Sequence, residues 1–151
     1  MAQVSSDPVD IRRAFQRHRS ASSVAGMPRR SRFVSLFYAA ECGLKYLVMM
    51  SGSLPSTGDL KNALVASLGL PKSQIDLHDI EQLCLAASLL PVDVGSTPTS
   101  FVVNGDTFPP YKLHEAARYG VKVADGYLGS VEQWLERILQ AVDTRMATQG
   151  I

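Results

Sequence analysis

The stretch from Arg32 to Met50, RFVSLFYAAECGLKYLVMM, constrains the fold more than any other part of the chain. Its apolar residues recur at spacings of three and four, which is the period of one face of an α-helix. They are Phe33, Leu36, Phe37, Ala40, Leu44, Leu47 and Val48. Other apolar residues occupy much of the remaining circumference. Because a helix that is apolar on most sides needs neighbours on most sides, the stretch predicts a buried central helix.

Helix signals recur along the rest of the chain. Asp7-Pro8 is a good helix start, with a capping acid followed by proline at the first helical position. The capping-box pair Ser130 and Gln133 precedes a closing amphipathic helix that ends near Met146. The predicted helices before it span residues 9–22, 59–68 (ended by Gly69), 78–90 (capped by Asp76 and stopped by Pro91) and 111–123 (broken by Asp125-Gly126).

Residues 92–110 lack helical periodicity, and their Asn104-Gly105 dipeptide is typical of a tight β-hairpin. We therefore predict an all-α fold, an antiparallel bundle of about five helices with a short irregular or β-hairpin insertion near residues 99–109. We divide the chain into a basic N-terminal helix or arm over residues 1–27, loosely attached to the rest, a helical bundle over 28–147, and a tail over 148–151.

Charge is unevenly distributed, although the chain as a whole carries only +1. Residues 1–32 contain seven arginines and two aspartates, a local charge of +5, so the remaining 119 residues sum to −4. The seven arginines, which we regard as candidate nucleic-acid contacts, are Arg12, Arg13, Arg17, Arg19, Arg29, Arg30 and Arg32. The same basic segment could instead dock onto an acidic partner or serve only solubility.

The two cysteines, Cys42 and Cys84, each stand alone in an apolar helical stretch, which indicates buried thiols in a reducing compartment. No Cys/His cluster with metal-ligand spacing occurs, so we expect neither a metal site nor a cofactor. No apolar signal core and no run of roughly 18 apolar residues is present, so we expect a cytoplasmic protein without membrane contact.

Three segments in this order resemble the HEPN family of small helical bundles. They are FYAAECGLKYLVM, LHDIEQLCLAASL, and YKLHEAARYG followed by SVEQWLERILQAV, and the similarity covers roughly residues 33–142. The resemblance implies an antiparallel bundle that commonly forms homodimers and is often encoded beside a nucleotidyltransferase. Many members are metal-independent ribonucleases in toxin, antiphage or CRISPR-linked systems. Their motif is an arginine followed, four to six residues later, by a histidine late in the bundle.

The chain departs from the family at that motif. Arg118 is followed by Tyr119, Gly120, Val121, Lys122, Val123, Ala124 and Asp125, without a histidine, and His114 lies before the arginine. The departure argues against ribonuclease activity at the family's usual position. Arg118 and Tyr119 remain candidates for binding a nucleotide or phosphate, the first as a bidentate donor and the second as a stacking surface. Glu41 and Lys45, which we also regard as candidates for nucleotide or phosphate binding, could flank a polar groove at a dimer seam, or form an ordinary helix-supporting pair.

RAFQRH, from Arg13 to His18, has the arginine–histidine spacing but lies in the basic segment. Metal-free RNA cleavage needs a base for the 2′-hydroxyl and a cation for the phosphate, which these two residues could supply. Three hypotheses follow: a non-catalytic HEPN-like adaptor that contacts nucleotide or nucleic acid, a divergent ribonuclease using Arg13 and His18, or a nucleotide-binding sensor. For the first we expect a homodimer, or a larger catalytic partner such as a nucleotidyltransferase, in a prokaryotic defence or toxin–antitoxin-type complex.

Overall fold

The computed structural model describes residues 5–151 and confirms an all-α bundle with one small β-hairpin. Within these residues there are seven α-helices: α1 (Pro8–Ser22), α2 (Arg29–Ser51), α3 (Leu60–Leu68), α4 (Ile80–Ala86), α5 (Pro91–Val94), α6 (Leu113–Arg118) and α7 (Asp125–Gln149). The hairpin pairs β1 (Phe101–Val103) with β2 (Asp106–Phe108), and short 3-10 turns precede α3 and α6.

Helix α2 is the central helix that its apolar pattern predicts. It contacts α1, α3, α4, α6 and α7, and thirteen of its residues are buried. By length and composition α2 also resembles a membrane span, but 67% of its most apolar window is buried inside the protein. That burial agrees with the role of a core helix, because the neighbouring helices cover the apolar surface.

Helix α1 packs directly against α2. Asp7 caps it as predicted, since the carboxylate accepts a hydrogen bond of 2.9 Å from the backbone N–H of Asp10. Phe15 is buried against Gly43 of α2, where an added Cβ would lie only 3.0 Å from the phenyl ring. Residues 1–4 of the predicted basic arm lie outside the described part of the chain. The domain boundary at residue 27 stays a prediction, but α1 contributes to the same core as α2.

The predicted start of the closing helix is wrong. Helix α7 begins at Asp125, within the Asp125-Gly126 pair that we interpreted as a helix break. Ser130 is therefore inside the helix, and its hydroxyl donates to the carbonyl of Gly126 at 3.0 Å instead of capping a new N-terminus. The local Ser130/Gln133 pattern matches a cap, but the helical hydrogen bonds already continue through it.

Two other helices are shorter than their apolar patterns predict. The segment predicted over residues 111–123 is helical only in α6, because Gly120 turns the chain with a φ of 73°. The segment predicted over 78–90 is helical only from Ile80 to Ala86, and Asp79, not Asp76, caps it by accepting from the N–H groups of Glu81 and Gln82. Pro91 does not simply stop a helix, since it begins α5.

The predicted hairpin is confirmed at its turn. Asn104 and Gly105 both have positive φ angles, 51° and 83°, as the two-residue hairpin turn requires. Phe101 pairs with Phe108 across the two strands, and their ring centroids lie 5.7 Å apart. The hairpin therefore places two aromatic rings beside the segment that follows α6.

Candidate functional site

Glu41 is a buried carboxylate on α2, with 5% of its surface exposed. One of its oxygens lies 3.6 Å from Nζ of Lys45, one helical turn later. The other lies 2.6 Å from Nδ1 of His78, in the turn that leads into α4. The predicted Glu41–Lys45 pair is thus real, and His78 joins it from a distant part of the sequence. One carboxylate oxygen thus has a hydrogen-bond partner and the other an ion-pair partner, which offset the cost of burying the charge.

All three histidines of the chain lie around Tyr38 and Glu41 on α2. His18 reaches Tyr38 from α1, with ring centroids 5.4 Å apart. His114 reaches the same tyrosine from α6 at 5.8 Å, and stacks on Phe37 at 3.9 Å. His78 completes the group through its contact with Glu41. We call His18, Tyr38, Glu41, His78 and His114 the histidine cluster.

The environment separates the three imidazoles by their pKa values. The hydrogen bond to Glu41 raises the pKa of His78, because it favours the protonated ring. Burial lowers the pKa of His18, and the positive charge of Arg17 lowers it further. Burial also lowers the pKa of His114. The cluster therefore favours the cationic form of His78 and the neutral forms of the other two rings.

The orientation of the His114 ring is fixed by a hydrogen bond to the backbone at the start of α6. Its Nδ1 lies 2.6 Å from the backbone carbonyl of Tyr111, so Nδ1 carries the proton and donates. In the neutral ring that arrangement makes Nε2 the acceptor. Tyr111 in turn donates its hydroxyl to Asp76 at 3.0 Å, which ties the turn before α4 to the start of α6. Two elements that carry cluster histidines are thus connected to each other as well as to α2.

Arg118, at the end of α6, extends the cluster towards solvent. Its Nη1 donates to the hydroxyl of Tyr38 at 3.0 Å, and its Nη2 donates to the hydroxyl of Tyr119 at 3.2 Å. The guanidinium carbon lies 5.2 Å from the centroid of the Tyr119 ring. No carboxylate lies within 4.0 Å of Arg118 among residues 5–151. The predicted Arg118–Tyr119 site is therefore an exposed cation on aromatic neighbours, with its charge uncompensated.

The predicted nucleic-acid contacts divide into two groups. Three of the seven arginines are ion-paired with acids on α7: Arg19 with Asp143, Arg29 with Glu132 and Asp125, and Arg32 with Glu132. The other four, Arg12, Arg13, Arg17 and Arg30, have no acidic partner within the described range. Arg30 also lies near the end of α6, because an added Cβ on Gly120 would be 3.6 Å from its Nη1.

Arg13 and His18 do not share a face of α1. Five residues of α-helix turn the side chain by about 140°, since each residue contributes about 100°. Arg13 lines an open groove on the outer side of α1 together with Arg17, whereas His18 contacts Tyr38 on the inner side. Arg17 lies next to His18 in sequence, close enough for its charge to affect the imidazole.

Sequence reasoning did not identify Tyr38, His78 or His114 as members of this site. Tyr38, Glu41 and Lys45 recur at spacings of three and four on α2, which places them along one strip of the helix. That polar strip on an otherwise apolar helix is the one feature of the sequence that could have indicated the site on α2. The two histidines offered none, because their proximity depends on how α4 and α6 pack on α2.

No group of three or more potential metal ligands occurs in the part of the chain that the structure describes. Comparison with protein-family models, with curated proteins and with solved structures finds no match to this chain. The geometry of the site is therefore the basis for a functional proposal, together with the segments that resemble the HEPN family.

Proposed function

We propose that the protein is a HEPN-like, non-catalytic helical module that contacts a nucleotide or nucleic acid through Arg118. The observation that carries the proposal is the exposed guanidinium of Arg118, held between Tyr38 and Tyr119 without an acidic partner in the described structure. A guanidinium fixed in this way presents its remaining N–H donors to a phosphate. The neighbouring tyrosine offers a ring on which a base can stack.

A second cation supports a surface larger than one contact. Arg30 lies near the end of α6, because a Cβ added at Gly120 would be 3.6 Å from its Nη1. Arg30 is not ion-paired with another described residue. A polyanion bound at Arg118 would therefore have a second unpaired arginine near the same end of α6, and such binding weakens as salt rises.

A binding experiment tests this proposal directly. Fluorescence anisotropy with a labelled single-stranded RNA should show binding that Arg118→Ala weakens about tenfold, the equivalent of about 1.4 kcal/mol. The slope of log affinity against log salt should fall by about 0.7, because one phosphate contact is lost. Arg137→Ala is the matched control, since Arg137 is an exposed arginine on α7 that lines a different groove, beside Thr97.

Two outcomes would contradict the proposal. Equal weakening by Arg118→Ala and Arg137→Ala would show that only overall charge matters. Absence of binding to RNA, DNA, ATP and GTP at low salt would remove the nucleotide-contacting role altogether. Isothermal calorimetry with ATP and GTP also distinguishes a nucleotide sensor from a nucleic-acid adaptor, because a sensor binds the free nucleotide.

A metal-independent ribonuclease is the second candidate function. The observation that favours it is the presence of His18 and His114, two imidazoles of lowered pKa, against the ring of Tyr38, whose hydroxyl accepts a hydrogen bond from Arg118. Neutral imidazole is the form that removes a proton from a 2′-hydroxyl. Arg13 lines the groove on the outer side of α1, whereas Arg118 contacts the same tyrosine as His18, so Arg118 is the cation that we propose for this role.

Cleavage of labelled RNA in the presence of EDTA decides between these candidates. The non-catalytic proposal predicts no cleavage by the wild-type protein. If cleavage occurs, His18→Ala should abolish it, and Arg13→Ala tests whether the Arg13–His18 pair acts together. Retained cleavage by His18→Ala would eliminate this histidine as the base.

The resemblance also motivates an assembly proposal, in which the module forms a homodimer or binds a larger catalytic protein such as a nucleotidyltransferase. We place this assembly in the cytoplasm, in a prokaryotic defence or toxin–antitoxin-type complex. Light scattering on the purified chain measures the dimer. Affinity purification from the native host, with identification of bound protein and nucleic acid together, tests the catalytic partner. A monomer that recovers neither would contradict the adaptor role.

A further inference from the structure

An apolar groove lies beside Tyr119, between the hairpin and the end of α6. It encloses about 170 Å³. Its walls are Phe101, Val103 and Phe108 of the hairpin, and Ala116, Tyr119 and Val121 of the segment around α6. Lys112 and Glu115 stand among these residues as the charged members of the lining. The groove therefore combines an aromatic and aliphatic interior with one cation and one anion.

The volume of the groove limits what it can hold. A protein cavity of about 150 Å³ accommodates one benzene ring. A groove of about 170 Å³ is therefore suited to one six-membered aromatic ring. A fused two-ring system would extend beyond the walls into solvent. The walls thus contact one ring of a base, which is the whole of a pyrimidine but only part of a purine.

Tyr119 connects this groove to Arg118. The tyrosine lines the groove and also lies within 5.2 Å of the Arg118 guanidinium carbon. It is 73% exposed, so the ring is accessible to a ligand. Arg118, the cation that we propose as a phosphate contact, and an apolar groove sized for one ring thus share Tyr119 as a neighbour. In a nucleoside monophosphate the phosphate and the base are likewise close together, because a single sugar links them.

We propose that the groove receives the base of a pyrimidine nucleotide whose phosphate is held by Arg118. This inference rests on the proposed function of Arg118 and specifies the class of its ligand. Lys112 and Glu115, whose Nζ and Oε1 atoms lie 3.3 Å apart, supply a donor and an acceptor at the groove. The polar edge of either pyrimidine carries acceptors and one donor, the amino group of cytosine or the N3–H of uracil, so each charge would have a partner.

Calorimetry with four small ligands tests the inference: uridine 5′-monophosphate, cytidine 5′-monophosphate, guanosine 5′-monophosphate and ribose 5-phosphate. The pyrimidine nucleotides should bind about fivefold or more tightly than ribose 5-phosphate, the smallest effect expected from stacking one base on an aromatic ring. Guanosine 5′-monophosphate should bind no more tightly than either pyrimidine nucleotide, because its second ring lies outside the groove and gains no contact with the walls.

Variants assign the effect to the groove. Val103→Trp, on the hairpin, fills the groove and should reduce pyrimidine affinity to that of ribose 5-phosphate, while leaving ribose 5-phosphate binding unchanged. The Tyr119 hydroxyl also holds Arg118, so both variants of Tyr119 should weaken all four ligands. Tyr119→Phe keeps the ring and should retain the preference for pyrimidine nucleotides over ribose 5-phosphate, whereas Tyr119→Ala should lose that preference. Arg118→Ala should weaken all four ligands. Circular dichroism and the melting temperature verify that each variant is folded. If Val103→Trp does not fold, Tyr119→Ala, at an exposed position, replaces it as the test of the groove.

The possible failures are distinguishable. If no phosphate ligand binds the wild-type protein, the proposed function fails and this inference fails with it. If ribose 5-phosphate binds as tightly as the pyrimidine nucleotides, Arg118 is a phosphate site and the groove is not a base site. Tighter binding of guanosine 5′-monophosphate than of both pyrimidine nucleotides would overturn the assignment of the groove to a single ring.

Discussion

Replacement of Gly43 by alanine tests how α1 is attached to the bundle. Gly43 lies at the middle of α2, where an added Cβ would lie 3.0 Å and 3.1 Å from two carbons of the Phe15 ring and 3.1 Å from Cγ1 of Val142. Phe15 and Val142 are 3% and 0% exposed. Both side chains would therefore have to shift by a few tenths of an ångström to admit the new methyl group.

The expected change in the free energy of unfolding for Gly43→Ala is the difference between two opposing effects. Alanine is favoured over glycine inside a helix by about 1 kcal/mol. Overpacking a well-packed core costs about 1–3 kcal/mol. Since both neighbours of Gly43 are buried, we take the middle of that range and expect Gly43→Ala to lower the free energy of unfolding by about 1 kcal/mol. For a chain of this length the melting temperature should fall by about 3 °C.

Gly129→Ala provides the matched control, because the same substitution is made inside α7 without a close contact. The nearest atom to an added Cβ there is Nη2 of Arg29, at an ordinary contact distance of 3.6 Å. Only the helix-propensity effect remains, so this variant should be more stable than the wild type by about 1 kcal/mol. Urea denaturation monitored by circular dichroism measures both variants under identical conditions.

An increase in stability for Gly43→Ala, similar to that for Gly129→Ala, would refute the close packing of α1 and α7 on α2. A second variant gives an independent test. Val142→Ala should remove one of the two obstacles, so that Gly43→Ala is less costly in the Val142→Ala background than in the wild type. Purely additive effects would show that the two positions do not touch.

Three further outcomes concern ionisable groups. Glu41→Ala should lower the free energy of unfolding by about 2–3 kcal/mol in urea denaturation, because Lys45 then remains half-buried without its partner. A decrease of less than about 0.5 kcal/mol would contradict the importance of this pair. NMR titration should place the pKa of His78 above its ordinary value. The contribution of His78 to stability is therefore fully present below a pH of about 6.5 and is lost as the pH rises through the folded-state pKa. An unchanged His78 pKa in Glu41→Gln would exclude Glu41 as the cause of the shift. Burial raises the pKa of Cys42 to about 11 and that of Cys84 to about 12, so neither thiol should react with iodoacetamide at pH 8 until the protein unfolds; rapid labelling of the folded protein would show that a thiol is accessible.

Local signals in the sequence predicted several elements correctly. The periodicity of the Arg32–Met50 stretch identified α2, Asp7-Pro8 marked the start of α1, and Gly69 marked the end of α3. Asn104-Gly105 identified the hairpin turn. Each of these features depends on the dihedral preferences and hydrogen bonds of adjacent residues, which are visible in a short window of sequence. The errors at Asp79, Gly120 and Asp125 are helix ends, where competing local signals stand within a few residues of each other.

The candidate site was only partly visible in the sequence. Glu41 and Lys45 are neighbours on one helix, so their spacing of four residues predicts their ion pair. The contact between Arg118 and Tyr119 is similarly local. His18, His78 and His114 come from three separate segments, and no periodicity records which of them will meet.

The sequence by itself therefore determined an all-helical fold, its central helix and the hairpin, because these follow from patterns over a few neighbouring residues. Only the tertiary structure decided that α1, the turn before α4, and α6 bring all three histidines to Tyr38 and Glu41. It also decided which arginines are neutralised by acids on α7 and which remain available, as at Arg118. The physical reason is that side-chain proximity across helices depends on how their faces pack, which is a property of the whole core.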